Sequence, residues 1–226
     1  MRNKLKFLSF FIIASIFFTV GCKKDYIDSK ETFLPELTIN GDAFIIQTVG
    51  EIYVDAGAVA TAAGQEIDYT TTGTVDYNVP DIYTLDYEAF NEDGFSVTTS
   101  RQVLVVDTLA ADEDYSGSYQ RGSNTPVTIW TKDGDNPYLY HCNNPGGVPN
   151  NAPFNVNFDV YCVEPGIVIV PLQQSGVLAP FYCTDADDPS STRILFNSSA
   201  TVGQVAYEWY VNGANFSYLV RTFKKL

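Results

Sequence analysis

A strict alternation of apolar and polar side chains between Ile82 and Ala89 constrains this fold more than any other stretch. The apolar members are Tyr83, Leu85, Tyr87 and Ala89, and the polar members are Thr84, Asp86 and Glu88. Successive side chains of a strand point to opposite faces, so the pattern predicts a half-buried β-strand rather than a helix. The turn formers 91–94 follow it, and Phe95 to Val106 predicts the returning strand.

The same reading extends to residues 34–107, which we interpret as a β-sandwich. Leu37–Ile39 and Phe44–Ile46 are short apolar runs on either side of Asn40-Gly41-Asp42, a strong turn signal. Six or seven such strands at close spacing indicate a small sandwich.

A second β-rich segment covers residues 115–226. Residues 108–114 (TLAADED) are small and acidic, as expected for a linker. About eight strands follow, separated by turn-forming stretches such as 132–137 and the long loop 143–153. Phe154–Val163 alternates, whereas Ile167–Leu172 is wholly apolar. The segment predicts an antiparallel sandwich or barrel, so the whole fold class is all-β.

The charge of the chain excludes one class of partner. The formal net charge is -14, and removal of residues 1–21, which carry three basic residues and no acids, moves it to -17. Nucleic acid would be repelled by such a surface, whereas a neutral carbohydrate would not.

Nothing in the sequence indicates an enzyme. His141 is the single histidine, and neither a nucleophile elbow, a zinc-protease helix nor a phosphate-binding loop occurs, so we predict no catalytic residues and no cofactor. His141 and Cys142 are strand neighbours that should face opposite sides. The acidic turns at 133–136 and 185–188 lack a complete calcium loop, so we predict no metal site.

Three cysteines remain after Cys22: Cys142, Cys162 and Cys183. They allow at most one internal disulfide, and each is equally well explained as a small buried hydrophobic side chain.

Aromatic side chains are the best candidates for ligand contacts, because flat rings stack on the apolar faces of sugars. The candidate ligand-binding residues are Trp130, Tyr138, Tyr140, Tyr182 and Tyr210. On the strand that begins at Gln204, alternation assigns Tyr207 and Trp209 to the core and leaves Tyr210 on the other face.

The first 21 residues are typical of a secretory signal. Arg2, Lys4 and Lys6 precede an apolar run from Phe7 to Val20 that is too short to span a bilayer comfortably. The ending Thr19-Val20-Gly21-Cys22 resembles the lipobox of bacterial lipoproteins, in which the cysteine is lipidated. That resemblance implies a lipid anchor on Cys22, with residues 22–33 as a tether. The charged start of this tether also resembles the surface-export signals of Bacteroidota lipoproteins.

Residues 34–107 resemble the bacterial surface immunoglobulin-like domain found in Bacteroidota lipoproteins. The matching positions are Pro35, Leu37-Thr38-Ile39, Gly50-x-x-Tyr53-x-Asp55-x-Gly57-Ala58-x-Ala60, Val75-Asp76, Tyr83-x-Leu85-x-Tyr87-x-Ala89, Gly94 and Arg101-x-Val103-x-Val105-x-Asp107. Ala56 stands where the family usually has Pro, and Asp81 where it usually has Gly, but neither change touches the apolar faces. The resemblance implies a spacer or display module without catalytic residues. The strand-rich segment that follows resembles the C-terminal β-domain of surface lipoproteins that accompany polysaccharide uptake.

Three hypotheses result. The first is an outer-membrane lipoprotein that binds a glycan through its second domain. The alternative is a structural or accessory subunit of an outer-membrane complex, such as an uptake complex, with no small ligand. The third is a closed barrel that carries an apolar ligand inside, as lipocalins do.

Overall fold

The chain is described by a computed structural model for residues 31–149, 157–173, 181–213 and 220–226. The segment predicted as a secretory signal, Cys22 and most of the predicted tether lie outside these residues. Residues 34–226 form one compact unit. Strands make up 54% of the structure and helix 3%, which confirms the all-β class. Within the described ranges, no helix has the length and hydrophobicity needed to cross a bilayer.

The N-terminal part of the unit is a sandwich of two sheets. One sheet has the order β1-β3-β4 and the other β2-β7-β6-β5. Their bounds are β1 (Glu36–Ile39), β2 (Phe44–Thr48), β3 (Ala58–Ala62), β4 (Gln65–Ile67), β5 (Tyr69–Thr72), β6 (Asp81–Phe90) and β7 (Ser96–Val106).

Strand β6 has the predicted alternation. Leu85, Tyr87 and Ala89 are buried between the two sheets, whereas Thr84 and Asp86 are exposed. Strand β7 pairs with it along its whole length, from Phe90 opposite Ser96 to Asp81 opposite Val105. The apolar face of this hairpin packs against β1 and β3 and forms the sandwich core.

The turn at Asn40–Asp42 joins strands of different sheets. Gly41 takes the positive φ (81°) that the turn requires. However, β1 pairs with β3, and β2 pairs in parallel with β7. The turn signal therefore marks the corner where the chain crosses from one sheet to the other.

The C-terminal part is a closed eight-stranded barrel. Its strands are β8 (Gly117–Gln120), β9 (Val127–Lys132), β10 (Leu139–Asn143), β11 (Asn157–Glu164), β12 (Ile167–Gln173), β13 (Phe181–Asp185), β15 (Val205–Gly213) and β16 (Val220–Lys225), with the short β14 (Ile194–Leu195) beside β12. The ring runs β11-β10-β9-β8-β16-β15-β13-β12 and closes by pairing β12 with β11. Closure removes the free sheet edges that an open sheet would expose.

The segment predicted as a linker is folded and packed. Thr108–Asp112 is a 3₁₀ helix in which Ala110 is completely buried against the barrel core. The Lys132 ammonium donates to the carbonyl oxygens of Ala111 (2.8 Å) and Glu113 (2.6 Å). The connection is therefore held against the barrel rather than extended through solvent.

Two apolar runs meet where the sandwich contacts the barrel. In β7, Val103 to Val106 are all buried, because one face of the strand lies in the sandwich and Leu104 and Val106 face the barrel. In β12, Val168 and Val170 point into the barrel, and Ile169 packs on Leu104 and Val106 in one cluster. A strand buried on both faces needs a continuous apolar run, which explains why neither sequence alternates.

Polar contacts border this interface. The Arg193 guanidinium donates to the Pro80 carbonyl oxygen of the sandwich and to the Glu164 carboxylate of the barrel. The Thr192 hydroxyl lies 3.4 Å from both carboxylate oxygens of Asp81. Burial raises the pKa of Asp81, although the Ile82 amide and Arg193 oppose the shift.

Candidate functional site

Two of the five predicted ligand-binding rings lie inside the barrel. Trp130 and Tyr140 are 1% and 0% exposed. The Trp130 indole donates to the Tyr207 hydroxyl oxygen at 3.0 Å, and the Tyr140 hydroxyl donates to the Glu113 carbonyl at 2.5 Å. Period-two alternation turns both side chains toward the barrel axis, so neither can stack on a ligand at the surface. Their assignment to a surface site is wrong for this reason.

The barrel interior is filled by aromatic rings. Trp130 and Trp209 stack with centroids 5.8 Å apart, and Tyr207 lies 5.0 Å from the first and 4.7 Å from the second. Phe196 and Phe223 stack on Tyr207 at 5.1 and 4.8 Å. As predicted, Tyr207 and Trp209 belong to the core. A lipocalin-like carrier would need this space for its ligand, and here the protein occupies it.

Tyr138 also lies away from the open surface. It is half-buried immediately before β10 and packs against both the barrel core and the cluster at the sandwich interface. Its position indicates a structural contact rather than a ligand contact.

Tyr182 and Tyr210 remain on the outer face of the barrel. Tyr182 is 38% exposed on β13, and Tyr210 is partly exposed on the neighbouring strand β15. Tyr182 pairs with Asn212, and Thr184 pairs with Tyr210, so the four side chains share one face. Diagonal neighbours of this kind lie about 7–8 Å apart.

The polar groups between the two tyrosines are ordered. The Asn212 amide donates to the Thr184 hydroxyl oxygen at 2.9 Å. One strand further, the Thr222 hydroxyl donates to the Glu208 carboxylate at 2.5 Å. Thr184 itself is only 4% exposed, so the outer face offers two rings with the Asn212 amide and the Glu208 carboxylate beside them. Such a surface can both stack on a sugar ring and bond to its hydroxyls.

A shallow apolar groove adjoins Tyr182 and was not predicted from the sequence. It has a volume of about 230 Å³ and is lined by Ile82, Ile169, Val170, Pro171, Leu172, Tyr182 and Thr192. Ile82 comes from β6 of the sandwich, so both parts of the compact unit contribute to the groove. The unbroken apolar run 167–172 could have indicated this groove from the sequence, because such a run predicts a strand with two apolar faces, one of which must lie outside the barrel interior.

His141 lies on the outer face of the barrel between two carboxylates. Its Nδ1 is 2.8 Å from Asp159 and its Nε2 is 3.0 Å from Asp133. Hydrogen bonds that the protonated ring donates to the carboxylates of Asp133 and then Asp159 raise the pKa of His141 above its ordinary value of 6.5. The neighbouring Cys142 is buried and faces the other way, as alternation predicts, so the two cannot form a nucleophilic pair.

The acidic turns use their carboxylates to hold their own backbone. Asp133 Oδ1 accepts from the amides of Asp135 (2.9 Å) and Asn136 (2.7 Å). Asp185 Oδ1 accepts from the amides of Asp187 and Asp188 in the same way. These bonds are the ordinary stabilisation of an Asx turn.

The three cysteines are buried and carry free thiols. Burial raises the pKa of Cys142 and Cys183 well above 9.0 and that of Cys162 to about 12. The thiols are therefore protonated at neutral pH and pack as small hydrophobic side chains.

Comparison with known proteins identifies the sandwich. Residues 37–105 match the family model described as "Bacterial surface protein, Ig-like domain". The sandwich is an immunoglobulin-like domain similar to those of bacterial surface proteins. No curated protein sequence matches the chain. Among solved structures, the crystal structure of a lipoprotein from Bacteroides thetaiotaomicron is similar at 21% identity, with a TM-score of 0.36, over 85% of this chain and 100% of that one.

Proposed function

We propose that this protein is a lipoprotein of the bacterial outer membrane, anchored through Cys22, that acts as a non-catalytic glycan-binding module. The observation that carries the binding proposal is the pair Tyr182 and Tyr210 on one outer face of the barrel, with Asn212 and Thr184 between them. Surface display is supported by the description of the matched domain family and by the lipobox-like sequence at Cys22. The immunoglobulin-like domain acts as a rigid support for the barrel, because the two parts share the apolar cluster around Leu104 and Ile169.

A glycan array tests the binding proposal. Residues 23–226 contain the whole compact unit and are suited to the array and to titration of each bound glycan. Tyr182→Ala and Tyr210→Ala should each weaken binding about tenfold or more, since loss of a stacked ring removes roughly 1.5 kcal/mol or more. Phe95→Ala is the matched control, because Phe95 is 51% exposed on the sandwich, away from the proposed face.

The outcomes separate the two functional hypotheses. Glycan binding that depends on Tyr182 and Tyr210 but not on Phe95 supports the proposal. Binding that neither tyrosine substitution weakens contradicts the assigned face. Absence of binding to every glycan contradicts the module hypothesis and favours a structural role in an outer-membrane complex.

Lipid labelling tests the anchor independently. Cells that express the full chain with a clickable palmitate analogue should label the protein, and Cys22→Ser should abolish the label and release the protein from membranes. Cys142→Ser is the matched control, because Cys142 is buried and protonated. Equal labelling of the Cys22→Ser form would contradict the anchor.

A further inference from the structure

Two of the four arginines in the described residues have no side-chain partner among those residues. Arg101 and Arg193 each bond to a carboxylate and to backbone carbonyl oxygens. By contrast, neither Arg121 nor Arg221 has a side-chain hydrogen bond or an ion pair with any residue of the described ranges. Both are partly buried, so their charges are not simply dispersed in bulk water.

Arg221 lies on the inner face at one end of the barrel. It pairs with Trp209 across β16 and β15, and Trp209 is completely buried in the barrel core. Residues directly opposite each other in an antiparallel pair share a face. The guanidinium stem therefore starts inside the barrel wall, one step nearer the end than the buried pair Tyr207 and Phe223.

Arg121 approaches the same place from the neighbouring strand. It follows β8, whose last residue Gln120 pairs with Lys224 of β16. A Cβ placed on Gly147 would lie 3.2 Å from the Arg121 Cβ and 3.3 Å from the Phe223 ring, so Arg121 lies beside Phe223. Phe223 is two residues from Arg221 on the same strand face, a separation of about 7 Å.

The two positive charges repel each other. Burial and the nearby charge of Arg121 both lower the pKa of Arg221. The segments 150–156, 174–180 and 214–219 contain neither aspartate nor glutamate, so they supply no carboxylate either. In a chain with about twice as many acidic as basic residues, a half-buried arginine pair that has no carboxylate partner within residues 31–226 is a charge arrangement that an external anion would complete.

We propose that Arg121 and Arg221 form a binding site for a single oxyanion, a carboxylate or a sulfate group, at this end of the barrel. Planar guanidinium groups present paired N–H donors that match the oxygens of both anions. The net charge of -14 opposes polyanions, but at physiological salt it is screened over about 8 Å, so one anionic group can approach the local positive charge. The site is separate from the face of Tyr182 and Tyr210 and does not depend on the proposed glycan binding.

Isothermal titration of residues 23–226 with sodium glucuronate and with sodium sulfate, at constant ionic strength, tests the site. Glucose serves as the neutral control for the first, and sodium chloride for the second. Arg221→Gln and Arg121→Gln should each weaken binding about tenfold or more, since a hydrogen bond to a charged group is worth about that factor. Lys224→Gln is the matched control, because it removes the same charge from an exposed position on the same strand.

Saturable binding of one or both anions that depends on both arginines and not on Lys224 supports the proposal, and the better ligand identifies the anion. Absence of saturable binding for both anions overturns it. Equal weakening by Lys224→Gln also overturns it, because the effect would then reflect overall charge. Circular dichroism and the unfolding midpoint of each variant establish that a lost signal is not caused by misfolding, and removal of one repelling charge should leave that midpoint unchanged or higher.

Discussion

The buried ion pair of the immunoglobulin-like domain gives the sharpest stability prediction. Arg101 is 0% exposed, and it donates to the Asp55 carboxylate and to the carbonyl oxygens of Asn40 (2.5 Å) and Asp42 (3.1 Å). The Tyr87 hydroxyl donates to the same carboxylate at 2.7 Å. The network thus connects the corner between the sheets, the loop before β3, and strands β6 and β7.

The two partners should not be equally costly to remove. Asp55→Ala leaves a fully buried guanidinium without its counter-charge, and we expect the free energy of unfolding to fall by about 3–5 kcal/mol. Arg101→Met leaves a carboxylate that is 26% exposed and can be hydrated, so its cost should be smaller, about 2–3 kcal/mol. The double variant should lower the free energy of unfolding by about as much as Arg101→Met alone, because the Asp55 carboxylate has no charged partner once Arg101 is replaced.

Urea unfolding of the four forms measures these free energies, with Asp68→Ala as the exposed control from the same domain. The double-mutant cycle should show a coupling of about 3–5 kcal/mol, which is the whole cost of Asp55→Ala. A cost of Asp55→Ala no larger than that of Asp68→Ala, or additive effects in the double variant, would refute the reasoning.

The pH dependence of the same pair provides a second measurement. Burial opposes ionisation of Asp55, but hydrogen bonds from Tyr87 and the Gly57 amide, together with the Arg101 charge, lower its pKa below the ordinary 3.8. A lowered carboxyl pKa stabilises the fold above pH 3.8, and this contribution is lost as the pH falls through the folded value. The wild type should therefore lose more stability than Asp55→Ala below pH 3.8.

Two further predictions concern the barrel. Because the pKa of His141 is raised above 6.5, its contribution to stability should be fully present below pH 6.5 and lost as the pH rises through the folded pKa. The unfolding midpoints of wild type and His141→Gln, measured between pH 5 and 9, should therefore differ most at the acidic end. A difference that stays constant over this range would contradict the prediction. Ile169→Ala should lower the free energy of unfolding by about 2–5 kcal/mol, because Ile169 is completely buried between barrel and sandwich. The control Leu195→Ala should change it by less than about 0.5 kcal/mol, because Leu195 is 67% exposed. Similar urea midpoints for the two variants would contradict the packing at this interface.

The sequence alone determined the local structure of this protein. Alternation from Ile82 to Ala89 predicted β6 and its buried face, and Gly41 predicted the turn after β1, because both signals depend on side-chain direction and backbone conformation within a few residues. The same alternation correctly placed His141 and Cys142 on opposite faces of their strand, and likewise Tyr210 and Trp209. Alternation identifies two faces but does not say what covers each one.

The tertiary structure decided which face is covered, and by what. Pairing between distant strands closed the barrel, and closure turned Trp130 and Tyr140 inward while Tyr182 and Tyr210 stayed outside. The contact between sandwich and barrel brought Ile82 beside Tyr182, and the pairing of β8 with β16 brought Arg121 beside Phe223. These contacts join residues about 100 positions apart, and local hydrophobic periodicity carries no information about such partners.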